Sequence, residues 1–385
     1  MMTAKNKPLY VGALRMKAGE LMGVKNLASD VADCFIPRFI VPPQSERENE
    51  LQPRFLAGEQ FPDISTALAT HWLQRDALVE ATYLLDEFGR ERMGLWLPRM
   101  FERARKAHTR PIPLVTAGDL LRDDLTAYQT CIDTSAFLKF GVVFSSGDLA
   151  DSELLKQILG IIEKLSLTPG DCMVIADFHD ADFTNADRVA PVIAGILDML
   201  QSSALWQQIV FQGTNFPETN PADPGSHSLV ARNEWIAWRK AVRFEPATAD
   251  YMIFGDYAAD CAKIVFTTGG GAPAIRHYRY TTSEAWLVQR GPDTGTHAAI
   301  MRKVCKEILA SGQFAGRTFS SADDYIFRSA HNAAGPGNAK EWRAVNTTHH
   351  ITRVVTDVGR VRGFELKQRT TLEPLDRQMA LFPNQ

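Results

Sequence analysis

Between Asp151 and Phe211 the chain writes out two helix–strand units in succession, and this stretch limits its fold more than any other. Asp151-Ser152 supplies helix-capping chemistry, with Glu153 in the first turn. Leu154, Leu155, Ile158, Leu159, Ile161, Ile162 and Leu165 then recur at helical spacing until Thr168-Pro169-Gly170 stops the run. Cys172-Met-Val-Ile-Ala176 follows as a continuous apolar run ending in Asp177. A run without alternation reads as a strand buried on both faces, the habit of parallel sheets. Val192, Ile193, Ile196, Leu197 and Leu200 mark a second helix, and Gln208-Ile-Val-Phe211 a second strand. A strand–helix–strand crossover of this kind commits the chain to the α/β class.

The rhythm extends outward. Strands are expected over Leu9–Leu14, Phe35–Val41, Ile112–Thr116, Leu138–Phe144, Cys172–Ala176, Gln208–Phe211 and Met252–Phe254, with a last pair, Ile275–Tyr280 and Trp286–Arg290, counted once. Eight positions is the number of a (β/α)8 TIM-like barrel. An open doubly wound sheet alternates in the same way, so the count alone argues for closure. Residues 44–111 read as a mostly helical, polar insertion, in which Phe101-Glu-Arg-Ala-Arg-Lys106 is a solvated helix face. From residue 298 to 385 the pattern is of helices packing on the barrel and then a polar tail. Trp235 and Trp238, three apart, read as one more helix against the barrel. Gly269-Gly270-Gly271 lacks the strand-to-helix context and the Lys-Ser/Thr of a phosphate loop and reads as a turn. No linker divides the 385 residues, which are therefore expected to form a single domain.

Charge narrows the function classes. A formal charge of −3 with a pI near 6.3 gives no global reason to bind nucleic acid or acidic membrane, so any anion site must be a local basic patch. The five cysteines are scattered, odd in number and form no Cys-x-x-Cys pair, which argues against a zinc knuckle or a disulfide framework. Cys172 reads as a small core residue. That usage fits a reducing compartment. The first residues lack the apolar stretch of a signal peptide, and no run reaches the ~18–20 apolar residues of a membrane span. A cytoplasmic protein without membrane contact is expected.

Several segments spread over the chain carry a resemblance. Tyr10-Val-Gly-Ala-Leu-Arg-Met-Lys-Ala-Gly-Glu20 and Phe35-Ile-Pro-Arg-Phe-Ile-Val-Pro-Pro43 open it. Phe254-Gly-Asp-Tyr257, Ile275-Arg-His-Tyr278, Trp286-Leu-Val-Gln-Arg-Gly291, Trp342-Arg343 and His349-His350 continue it. Together they resemble the phage and bacterial beta protein family. The resemblance implies a setting in phage genomes or bacterial defence neighbourhoods, with a protein partner from the same system, and supplies no mechanism.

The active face of a strand–helix barrel lies at the carboxyl ends of its strands. Lys17, Asp177, His179, Thr214, Asp256 and Tyr257 follow such ends, and Lys139 lies within the fourth expected strand. Asp177-Phe-His179-Asp180 with Asp182 is the densest group of metal-ligand types, and on extended backbone Asp177 and His179 share a side. Mg²⁺, Mn²⁺ or Zn²⁺ would suit them. The plainer reading is an Asp-rich turn that caps a helix. Arg276, Tyr278, Arg290, Trp342 and Arg343 form a basic, aromatic group matched to phosphate oxygens and bases. Its plainer reading is core aromatics with a solvated opposite face. His349-His350 after Asn346-Thr-Thr348 reads as a helix N-terminus favourable to an anion.

Two hypotheses follow. In the first, a nucleotide or nucleic acid is held on the barrel rim by Lys17, Tyr257, Arg276, Tyr278, Arg290, Trp342 and Arg343. Asp177, His179, Asp256, His349 and His350 then serve as metal ligands, bases or acids, which leaves a metal-dependent hydrolase or phosphodiesterase open. In the second, the barrel face is a non-catalytic docking surface within a multi-protein defence complex. The first expects Arg276, Arg290, Arg343 and the His349-His350 pair to converge on one anionic group.

Overall fold

A computed structural model describes residues 8–43, 62–244, 252–264 and 276–366. The described residues fall into two compact units. The first takes in those of Met1–Lys17, Phe35–Asn215 and Asn233–Gly269, and the second those of Ala18–Cys34, Phe216–Arg232 and Gly270–Gln385. The expected turn at Gly269-Gly270-Gly271 lies outside the described residues.

The first unit is a closed, all-parallel barrel. Its wall runs β1 (Tyr10–Arg15), β2 (Phe35–Ile40), β3 (Asp76–Glu80), β4 (Arg110–Thr116), β5 (Phe140–Ser145), β6 (Cys172–Asp177) and β7 (Gln208–Gln212). The next strand in the chain, β8 (His227–Ala231), belongs to the second unit, and β9 (Met252–Asp256) pairs with both β7 and β1 to close the ring. Eight strands is the expected number, but their membership differs. β3 lies within residues 44–111, where an insertion was expected; it escapes notice because only Ala77, Leu78 and Val79 separate its two acidic ends. The pair around residues 275–290 is not in the barrel.

Side chains alternate along each strand, so one parity fills the lumen. Val11, Ile36, Leu78, Ile112, Val143, Met173, Ile175, Val210 and Ile253 pack together as that interior. Outside, the helix Ser152–Lys164 is capped by Asp151, which accepts from the N–H groups of Glu153 and Leu154, and buries Leu155, Ile158, Ile161 and Ile162. The helix Asn233–Phe244 stacks Trp235 on Trp238 and sets both against Phe254 of β9, so these tryptophans are packing residues. Cys172 is fully buried in β6.

Lys139 stands just before β5, at the amino end of the barrel rather than the active rim. Its Nζ lies 2.6 Å from Asp171, ahead of β6. The hydrogen bond from Lys139, then those from Thr168, hold the Asp171 carboxyl down at about 2. A depressed carboxyl stabilises the fold above its unfolded value of about 3.9, and that contribution fades as pH falls through about 2. Solvent screening keeps it small. In Lys139→Met, an NMR titration should find Asp171 raised toward the ordinary range.

The second unit is antiparallel. β10 (His277–Thr281), β11 (Ala285–Arg290) and β8 form its sheet in that order. Alternating burial along β10 is the mark of a strand with one covered face, unlike the continuous runs of the barrel. Tyr278, Tyr280 and Leu287 pack with Met301, Val304 and Ile326 from the helices His297–Ala310 and Ser321–Ala330. The helices expected beyond residue 298 are therefore present, and these two pack on this sheet. The long helix Ala339–Val361 packs closely on the helix Ala18–Lys25. A Cβ at Gly19 or Gly23 would come within 2.6 Å of Arg343 or Thr347, so glycine allows the approach.

Candidate active site

Continuing the lumen parity one step past the apolar interior reaches a polar layer. Arg38 follows Ile36, Glu80 follows Leu78, Asp177 follows Ile175 and Gln212 follows Val210, each two residues on. Thr116 and Ser145 occupy the same step on β4 and β5. These groups sit at the carboxyl end of the barrel around a cavity of ≈ 210 Å³, which Arg38, Glu80, Thr116, Asp148, Asp177 and His179 help to line.

Arg38 organises the layer. Its Nε donates to Glu80 Oε2 at 2.8 Å, and its Nη1 donates to Asp177 Oδ2 at 2.8 Å and to Gln212 Oε1. Among the described residues Nη2 has no hydrogen-bond partner. Burial works against the guanidinium charge, but attraction from Glu80 and then Asp177 outweighs it and holds the group above its ordinary value. Tyr257 donates its hydroxyl to both Asp177 oxygens, at 2.6 and 2.8 Å. Burial, then the Asp177 charge, raise its pKa well above normal, so Tyr257 remains a donor at neutral pH. Gln212 turns its amide Nε2 to the Asp256 carbonyl at 3.0 Å.

Lys17, Asp177 and Asp256 follow β1, β6 and β9 and share the carboxyl rim, but they have different surroundings. Asp256 has the opposite parity to Ile253 and is held outside the lumen. It accepts from the Tyr10 hydroxyl and from Ala258 N. Ala258 and Ala259 have φ of 51° and 59°, a left-handed conformation that non-glycine residues rarely adopt. Asp256 thus anchors the strained turn beside Tyr257. It is a positioning residue, not a group facing a ligand in the lumen.

The Asp177–His179 pair, the metal-ligand candidate of the sequence, finds its carboxylate engaged by other partners. Asp177 already accepts from Tyr257 and from the positively charged Arg38, and His179 Nδ1 is 3.8 Å from Asp177 Oδ1. Among the described residues no group of three or more His, Cys, Asp and Glu could hold a metal ion. His179 remains half-exposed at the cavity mouth.

The basic group expected to converge on one anion is dispersed, and all of it belongs to the second unit. Arg276 donates to the Asp293 carbonyl, while Arg290 reaches the Ala222 carbonyl at 3.1 Å and the Asp293 carboxylate at 3.3 Å. Arg343 Nε lies 3.8 Å from Glu20 Oε1. Trp342 donates to the Pro336 carbonyl and packs edge-on against Tyr278. His349 and His350 are not at a helix N-terminus. The helix begins at the Asn338–Glu341 capping box, and both rings are fully buried inside it. His349 bridges Asp323 and the Thr281 carbonyl, and His350 meets the Thr281 hydroxyl. Neither is open to a ligand as an acid or base.

Among the described residues no helix is long and apolar enough to cross a membrane. A family model described as Beta protein matches residues 10–356. No curated protein and no solved structure matches the chain.

Proposed function

The chain belongs to the beta protein family, and we propose that its barrel mouth binds the hydroxyl-bearing, sugar- or nucleoside-like part of a phosphate-containing ligand, in a phage or anti-phage defence setting. The observation that carries this reading is the fixed Arg38 guanidinium between Glu80 and Asp177 in the cavity. Carboxylates accept from hydroxyl groups, and Arg38 Nη2 offers a directed donor to an oxygen acceptor. Three carboxylates, Glu80, Asp148 and Asp177, line the cavity against the single guanidinium of Arg38. That balance disfavours a bare phosphate in the lumen, so a nucleotide would enter sugar first and leave its phosphate outside. A volume of ≈ 210 Å³ suits one such unit rather than a length of nucleic acid.

Calorimetric titration with nucleosides, nucleoside monophosphates and simple sugars would test this, with chromatography of the recovered ligand to detect turnover. We expect micromolar or weaker binding of at least one hydroxyl-bearing ligand and about tenfold or greater loss in Asp177→Asn, from the broken charged hydrogen bonds. Undiminished binding by a folded Asp177→Asn would remove the barrel mouth as the site.

A further inference from the structure

The mouth of the barrel has two unlike sides. On the arc formed by β4, β5 and β6, the lining residues that keep exposed surface are Thr116, Ser145, Asp148 and His179, and all four are polar. On the opposite arc, across β9, β1, β2 and β3, they are Tyr83, Ala262 and Ile264. These three follow β3 and β9 and present an aromatic ring and two alkyl groups.

Contacts among its own residues hold the apolar side in place. The Tyr83 hydroxyl donates to the Ile264 carbonyl at 3.2 Å, a link that spans the ends of β1 and β2 between their two segments. Ala13 of β1, Ile40 of β2 and Tyr257 pack against Tyr83, Ala262 and Ile264. With its proton committed to that carbonyl, the Tyr83 hydroxyl is no donor for a ligand, and what the residue chiefly offers the cavity is its ring.

A ligand with hydroxyl groups on every side fits such a mouth badly. Those facing Tyr83, Ala262 and Ile264 would give up water without a new partner, which opposes binding. A ligand with hydroxyls at one end and a flat ring at the other avoids that penalty and buries the faces of its ring. We infer that the mouth selects a nucleoside over a free sugar, with the sugar toward the β4–β6 arc and the base against Tyr83, the residue that sets the preference. This inference rests on the reading of the mouth as a hydroxyl-binding site and narrows its ligand class.

The test is calorimetric titration of the intact chain with adenosine, uridine and methyl β-D-ribofuranoside, which share a ribose ring and differ in the base. We expect the nucleosides to bind about tenfold or more tightly than the methyl riboside, the gain from burying one flat ring on an apolar wall. Tyr83→Ser should bring that ratio within about twofold and leave methyl riboside affinity unchanged, whereas Tyr83→Phe should keep the ratio. Tyr83→Leu, which retains apolar volume without the flat ring, should also lower it and serves where the serine variant does not fold. A purely structural role for Tyr83 would weaken all three ligands together, so the ratio separates the two roles. Equal wild-type affinity for the three ligands would overturn the inference and leave the hydroxyl site standing, as would a full ratio in folded Tyr83→Ser. Binding of none of the three would remove the barrel-mouth reading and this inference with it.

Discussion

Arg38→Met should destabilise the protein by about 3–5 kcal/mol, the usual result of leaving a buried charge without its partner. Glu80 and Asp177 are 6% and 3% exposed, and Arg38 donates to both. Methionine fills much the same volume but returns no charge, so two carboxylates would face each other in a nearly dry lumen. The triple variant Arg38→Met/Glu80→Gln/Asp177→Asn should regain most of the loss, since no net charge then remains buried. Urea unfolding of the two variants separates these outcomes. A loss below about 1 kcal/mol in Arg38→Met would mean that water reaches the layer and screens it, and the cavity would then be too wet to orient a ligand through Arg38.

The barrel was legible because parallel strands buried on both faces leave continuous apolar runs that few other structures produce. β6 and the helices around it are the clearest case. β3 was not legible, because a five-residue strand with acidic ends carries too little apolar signal to stand out among helices. The polar layer was within reach of the same reasoning. Counting two residues on from Ile36, Leu78, Ile175 and Val210 names Arg38, Glu80, Asp177 and Gln212 without any coordinates. Only the identity of strand β3 and the register were needed to see that they meet. Asp177 and Tyr257 were found by looking just past strand ends. Asp256, one residue before Tyr257, is expected on the same rim as a ligand or base, and position after a strand end does not give the parity that turns it away from the lumen.

The basic and aromatic segments misled for a different reason. A surplus of Arg and His looks like an anion site when partners are sought nearby in sequence. Arg290 finds Ala222, Arg343 finds Glu20 and His349 finds Thr281, all far along the chain. Such pairing depends on tertiary packing, which local pattern does not record.

Asp323→Asn is expected to show the other large effect, and it falls on stability rather than on ligand binding. Asp323 is fully buried and accepts from the Tyr280 hydroxyl at 2.7 Å, from Ser320 Oγ and from His349 Nδ1 at 3.0 Å. The other ring nitrogen of His349 meets the Thr281 carbonyl at 2.8 Å, a group that only accepts, so Nε2 carries a proton. Asparagine keeps the shape but cannot accept from all three donors without presenting its own amide hydrogens to one of them. A loss of about 2–4 kcal/mol is expected when a buried carboxylate that accepts several hydrogen bonds is replaced, and urea unfolding with hydrogen exchange in the helix Ala339–Val361 would report it. Alkaline pH supplies a second signature. Burial, then Asp323, hold the Tyr280 pKa above its ordinary value of about 10. A group raised on folding stabilises below its unfolded pKa, and that contribution declines as pH climbs above about 10. Removing the Asp323 charge should make the alkaline decline shallower, while sugar or nucleoside binding per folded molecule stays at the wild-type value. If Asp323→Asn instead folds normally and abolishes that binding, His349 and Asp323 belong to the working site and their reading as a structural pair is wrong.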